Sequence, residues 1–280
     1  MNSIEQTLKR RLPSIDSMIP IQGGDIGLSF QILTRGESCF CKVYQSVDHA
    51  EMIRAEWNGL KFLRGHGLPV PDLIDVFHNE AFSGIILKYI HSGRKEPQTG
   101  GEVIASLHGV QEQLFGFSRS SFIGSAAIQN TRNENWADFW WETRVLPFYK
   151  EVYAEANSSI RQGMKWIERN REQLFPVESP ALLHGDLWSG NFIYSSSGQP
   201  YFVDPSIYFG HREMDISMMV LFGGFGEELG VYQEICPLEK GWQQRVFWNQ
   251  LYPLMVHWIF FGGAYAMQIE QGFREKGITR

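Results

Sequence analysis

The stretch that decides the fold is His184-Gly185-Asp186-Leu187-Trp188-Ser189-Gly190-Asn191, with Asp204 following at the end of the apolar run Tyr201-Phe202-Val203. Four residues separate Asp186 from Asn191, the spacing of the loop H-R-D-x-x-x-x-N used in phosphoryl transfer. The chemistry accounts for the spacing. One carboxylate must stand beside the attacking hydroxyl, to orient it and accept its proton. Oxygen ligands must also hold Mg²⁺ against the nucleotide phosphates. A short loop does both if Asp186 faces the acceptor and Asn191 faces the metal. A second metal ligand is then expected from a neighbouring strand end, where Asp204 stands. His184 is expected to brace the loop by hydrogen bonding rather than to shuttle protons. Asp215 opens an apolar run, and its expected role is charge at a helix N-terminus or a brace for the same loop.

Upstream, Lys42 lies inside the run Cys39-Phe40-Cys41-Lys42-Val43-Tyr44, where alternation sets it on one face with Phe40 and Tyr44. A lysine in such a strand is costly unless it reaches water or an acidic partner. Met52, Ile53, Leu60 and Leu63 recur at helical spacing, and Glu56 lies on the same core-facing stripe. The two charges in adjacent elements satisfy each other, and such a pair positions a lysine on the α- and β-phosphates. Gly23-Gly24-Asp25-Ile26-Gly27 could cover phosphates with backbone N–H groups or form a plain turn, and it does not fit G-x-G-x-x-G. Trp188, a large aromatic within the loop, is either packing or a platform for a sugar face.

The pattern on either side predicts two lobes. Residues 1–91 read as strands with one long helix, a nucleotide-binding lobe. A helix is predicted over 3–12, strands over 28–34 and 39–44, a helix over 47–65, and strands over 73–78 and 83–89. The polar stretch 91–99 reads as a hinge. Residues 92–280 read as a catalytic and substrate-binding lobe, with helices over 101–108, 136–154, 158–173, 214–223 and 238–271. One embedded hairpin, residues 181–204, carries the main motif. This order is α+β, bilobal and protein-kinase-like.

Composition sets the outer limits. The chain has 280 residues, 43% hydrophobic and 14% aromatic, enough for a sizeable core. A net charge of −6 with no basic block argues against a nucleic-acid partner. The three cysteines read as small buried hydrophobes rather than a disulfide framework, and no Cys/His spacing resembles structural zinc. The apolar stretch 251–269 contains Pro253, His257, Gln268 and Gly262-Gly263. It reads as a buried helix or two rather than a membrane span. With no signal-peptide pattern at the N-terminus, the expectation is a soluble cytoplasmic protein.

His184 to Asn191 resembles the signature of the fructosamine kinase (ketosamine-3-kinase) family, within the aminoglycoside-phosphotransferase-like kinases. His-Gly-Asp and the later Asn are shared widely there; Leu-Trp-Ser-Gly between them is more particular. Phe115-Gly116-Phe117, Phe122-Ile123-Gly124, Gln129-Asn130, Trp136, Phe139, Arg144 and Leu146 are similar to the family's middle segment. So is Tyr208-Phe209-Gly210-His211-Arg212-Glu213 with Asp215. The resemblance runs from about Gly23 to Gly272. It implies ATP- and Mg²⁺-dependent phosphorylation of the sugar 3-hydroxyl of ketosamines, free or protein-borne, whose products fall apart in a deglycation or repair process. By position, it implies phosphate contact for Lys42, pairing for Glu56, the base role for Asp186, and Mg²⁺ ligation by Asn191 and Asp204. Adenine is expected against the backbone of Lys88, Tyr89 and Ile90, with Lys88 standing where an acidic residue is expected. The rival readings are an aminoglycoside or amino-alcohol kinase, with a pocket often acidic, and a nucleotide-binding pseudokinase. The presence of Lys42, Asp186 and Asp204 weighs against the second.

Overall fold

The computed structural model describes residues 2–12, 14–21, 27–45 and 49–280. Five strands form one antiparallel sheet: β1 (Ser17–Ile21), β2 (Leu28–Thr34), β3 (Glu37–Tyr44), β4 (Leu73–His78) and β5 (Ser83–Lys88), in the order β1-β2-β3-β5-β4. Alternation gives its two faces different partners. Phe30, Ile32, Cys39, Cys41, Val43, Phe77 and Ile86 fill a core closed by Ile4 and Leu8 of α1 (Asn2–Lys9). Tyr44, Ile85 and Leu87 pack instead with Met52, Ile53, Leu60 and Leu63 of α2 (Ala50–Gly65). β1 was not anticipated. It is an edge strand containing Pro20, which needs no ladder N–H there, and it has no fully buried position to create a period-2 signal.

The second lobe is mostly helical. α3 (Pro97–His108) starts earlier than expected, because Pro97 fits the first turn of a helix, where an N–H is unpaired anyway. The hinge is correspondingly shorter. β6 (Ser121–Ile123) and β7 (Ala126–Ile128) form a small hairpin. The single helix predicted over 136–154 is instead α4 (Trp136–Trp140), a π turn over Trp141–Val145, and α5 (Leu146–Val152). Pro147 has no N–H for a continuous α ladder, and the wider turn accommodates it. α6 (Ser158–Asn170) is capped by the Asn157 side chain, which accepts from the Ile160 N–H at 2.9 Å.

The motif region also differs in pairing. β8 (Ala181–Leu183) pairs with β11 (Tyr208–Gly210), while β9 (Phe192–Tyr194) pairs with β10 (Pro200–Phe202). Two short ribbons therefore stand in place of one hairpin over 181–204. α7 (Glu213–Phe222), α8 (Gly226–Ile235), α9 (Trp242–Phe261) and α10 (Ala264–Glu275) complete the chain. The predicted segment 238–271 resolves into α9 and α10, broken at Gly262-Gly263.

One core lies wholly in the helical lobe, around Trp140, Val145, Met164, Leu251 and Phe273. Another joins the lobes: Ile53, Leu60 and Leu63 of α2 share it with Ile104, Leu182, Leu187, Phe192 and Phe202. This shared core fixes α2 against the ribbons that carry the motif. The architecture is α+β and kinase-like. Among the described residues, no helix is long and apolar enough to cross a membrane.

Candidate active site

β3 delivers Lys42 to the crevice between the sheet and the ribbons. Its Nζ lies 3.1 Å from Glu56 Oε2 on α2 and 2.7 Å from Asp204 Oδ1 after β10. Burial acts to lower its pKa, but the charges of Asp204 and Glu56 outweigh that and hold it well above the ordinary lysine value. Burial and the neighbouring charge of Asp204 push Glu56 up to about 8 against the pull of Lys42. Burial also acts to raise Asp204, yet Lys42 prevails and its carboxyl is held below the usual range. Lys42 thus contacts both side chains, secures the ionised form of Asp204 and does not offset the burial of Glu56. Asp204 adopts a left-handed backbone, φ 50°, a conformation Asp tolerates better than most residues and one frequent where strain serves a site.

The loop before β9 is held from behind. The Asp215 carboxylate, in the first turn of α7, accepts the backbone N–H of His184 at 2.7 Å and of Gly185 at 3.0 Å. His184 Nε2 lies 2.9 Å from the Val203 carbonyl, which can only accept, so this nitrogen carries the proton. Nδ1 is then the acceptor for the Asp186 N–H at 3.3 Å. Burial lowers the His184 pKa against the opposing charge of Asp215, which fits this neutral tautomer. His184 and Asp215 therefore both contact the loop's backbone, and His184 also ties it to the residue before Asp204.

Asn191 Nδ2 donates to the Asp186 carbonyl at 3.0 Å and to Asp186 Oδ2 at 2.9 Å. The amide nitrogen is thereby committed, which leaves the amide oxygen of Asn191 as the atom that could take a cation. Burial and the charge of Asp204 raise the Asp186 pKa to about 7, against the hydrogen bond from Asn191. Carboxylate and amide oxygens are hard donors, suited to a small divalent cation that also takes phosphate oxygens. Among the described residues, no three or more His, Cys, Asp or Glu side chains gather into an all-protein metal cage.

These side chains line one cleft of about 620 Å³, which contains Lys42, Glu56, Asp186, Trp188, Asn191 and Asp204. Trp188 is 38% exposed, and its indole lies over Gly190, where a Cβ would collide with the ring. Gly27 backs onto the Tyr44 ring, which also lines the cleft. Gly23 and Gly24 lie outside the described residues. Lys88, Tyr89 and Ile90 are not in the cleft lining. The Lys88 and Tyr89 N–H groups donate to the carbonyls of Asp72 and Ser38, and the Lys88 ammonium sits 3.8 Å from the exposed Asp72 carboxylate.

Sequence reasoning missed the far wall of the cleft: Phe222, His257, Phe260, Phe261 and Tyr265. A signal existed. Phe222 and Phe261 each directly precede Gly-Gly at the end of an apolar run, a place where a large side chain is left at a helix end.

Comparison with known proteins agrees with this geometry. The family model described as "Fructosamine kinase" matches residues 1–276. A probable ketoamine kinase of Enterococcus faecium is 34% identical over 271 residues, covering 95% of this chain and 97% of that one. The chloroplastic protein-ribulosamine 3-kinase of Arabidopsis thaliana is 32% identical over 258 residues, covering 88% and 78%. A putative fructosamine-3-kinase structure from Thermobifida fusca superimposes with a TM-score of 0.85 at 26% identity, covering 98% of both chains. A thermostable mutant of the aminoglycoside phosphotransferase APH(4)-Ia, at TM-score 0.68 and 15% identity over 98% of this chain and 99% of that one, shares the fold. With a family match along nearly its whole length and a kinase-like cleft built from the matched residues, the chain belongs to the fructosamine kinase family of phosphotransferases.

Proposed function

We propose that the protein transfers the γ-phosphoryl group of ATP to the sugar 3-hydroxyl of a ketosamine, free or protein-borne. The observation that carries this reading is the convergence of Asp186, Asn191 and Asp204 with the Lys42–Glu56 pair in one cleft. The lobe over 1–91 holds the nucleotide, and 92–280 supplies the catalytic loop and the acceptor wall. Lys42, oriented by Glu56, meets the α- and β-phosphates. Asn191 Oδ1 and Asp204 hold Mg²⁺, which when bound neutralises charge on the phosphates. Asp186 accepts the proton of the 3-hydroxyl as its oxygen bonds to the γ-phosphorus and the bond to ADP breaks. Asp215 and His184 keep the loop in place during the step. Trp188 offers a face to the sugar C–H surface. The phosphorylated adduct then decomposes, which amounts to deglycation.

The test is a coupled ATP-consumption screen with Mg²⁺ over ribulosamine, erythrulosamine, fructosamine and aminoglycoside acceptors. Turnover on at least one ketosamine, with the phosphate on the 3-oxygen, is expected. Turnover on an aminoglycoside alone, or on no acceptor, would overturn the reading.

A further inference from the structure

α7 and α9 end alike, in Phe222-Gly223-Gly224 and Phe261-Gly262-Gly263. Gly223 (φ 72°, ψ −173°) and Gly262 (φ 90°, ψ −167°) take nearly the same conformation, one essentially reserved for glycine. Each helix therefore stops abruptly and leaves its last aromatic ring at the cleft, 37% exposed for Phe222 and 54% for Phe261. His257 stands between them. Its ring centroid is 5.0 Å from Phe222, 5.5 Å from Phe261 and 5.1 Å from Tyr265. A 2.7 Å contact from His257 Nδ1 to the Pro253 carbonyl fixes the ring. Phe222 in turn meets Trp188 at 6.1 Å, so aromatic surface runs unbroken from the catalytic loop to the outer rim.

The charges are distributed unevenly. Among the described residues that line the cleft, Lys42, Glu56, Asp186 and Asp204 are the Lys, Arg, Asp and Glu side chains. All four belong to the phosphotransfer end, and the aromatic wall adds no carboxylate. Ring faces attract a single cation modestly and pack well on apolar or aromatic groups. They give poor compensation to several desolvated ammonium groups at once.

We propose that this wall is the subsite for the amine-derived half of the acceptor, taking one secondary ammonium that carries an aromatic or long apolar arm. It disfavours polycationic amino-sugars. The inference rests on the phosphotransfer reading of the cleft and adds to it the class of amine.

The test uses ribulose adducts of methylamine, butylamine and benzylamine, together with direct binding of N-benzylmethylammonium followed by NMR. In the wild type, kcat/KM for the benzylamine adduct should exceed that for the methylamine adduct by about fivefold, mostly through KM. Phe222→Ala and Phe261→Ala should bring the ratio towards one. Met267→Ala, an exposed position outside the cleft lining, should leave it unchanged. Should Phe222→Ala unfold, Phe261→Ala and Phe261→Leu carry the test. Equal kcat/KM across the adducts, or a ratio that survives the Phe variants, overturns the proposal. If no adduct is phosphorylated, the functional reading fails, and the subsite is judged on binding alone. N-benzylmethylammonium affinity about fivefold weaker in Phe261→Ala would then sustain it, and unchanged affinity or no binding would overturn it.

Discussion

Gly59 of α2 faces Pro205: a Cβ on Gly59 would stand 3.1 Å from Pro205 Cγ and 3.4 Å from the Pro205 carbonyl oxygen. Glu56 lies three positions earlier on the same helix face, and Asp204 immediately precedes Pro205. The close approach of helix and loop is what lets both carboxylates reach one Lys42. Glycine within a helix costs about 1 kcal/mol against alanine, so its use here goes with the need for contact.

Gly59→Val should force α2 away from Pro205 and separate Glu56 from Asp204. Overpacking of this kind costs about 1–3 kcal/mol. The expected outcome is a folded protein of lower melting temperature, with KM for ATP raised and kcat lowered by about tenfold or more. Thermal melting with steady-state kinetics checks it. Wild-type kinetics in this variant would show that the contact does not set the site.

Asp204→Ala should abolish Mg²⁺-dependent nucleotide binding. It removes a hard oxygen donor and leaves Lys42 with Glu56 alone. Calorimetric titration with Mg·ATP reads this directly, and an isotherm like that of the wild type would remove Asp204 from the metal site.

The brace behind the loop has its own pH dependence. Glu178 receives Arg212 Nε at 3.0 Å and Nη2 at 2.7 Å, and Arg212 leads into α7, which carries Asp215. Burial acts to raise the Glu178 pKa, but the hydrogen bonds and charge of Arg212 and the neighbouring His211 bring it below its ordinary value of 4.5. A lowered folded-state pKa gives stability that is present above the unfolded value and lost as pH falls through the folded one. The wild type should therefore exceed Glu178→Gln by about 1.5–3 kcal/mol near pH 7, the range for hydrogen bonds to a charged group. The gap should shrink as pH drops below 4.5. Urea denaturation of both proteins at neutral and acid pH checks this, and a gap independent of pH would contradict it.

What the sequence disclosed follows from how local each feature is. His184 to Asn191 is one contiguous loop, so its spacing could be read directly, and Glu56 stood out as a carboxylate on an apolar stripe. Asp215 was legible as an acidic residue at a helix start, though its two N–H partners depend on how α7 meets β8. β1 escaped because Pro20 and edge exposure erase alternation. The pairing of β8 with β11 escaped because Tyr208–Gly210 is short and buried on both faces, with no period to reveal a strand. The aromatic wall escaped for a different reason. Phe222 and Phe261 come from different helices, and the packing of α7 on α9 brings Phe222 to the His257 that Phe261 also meets.

Asp186 carries the central claim, and the most direct measurement is the turnover of Asp186→Asn on a ketosamine, alongside calorimetric titration with Mg·ATP. The account predicts a fall in kcat of at least about 10²-fold, the scale for losing a general base, with nucleotide affinity nearly intact. Turnover close to wild type would contradict it.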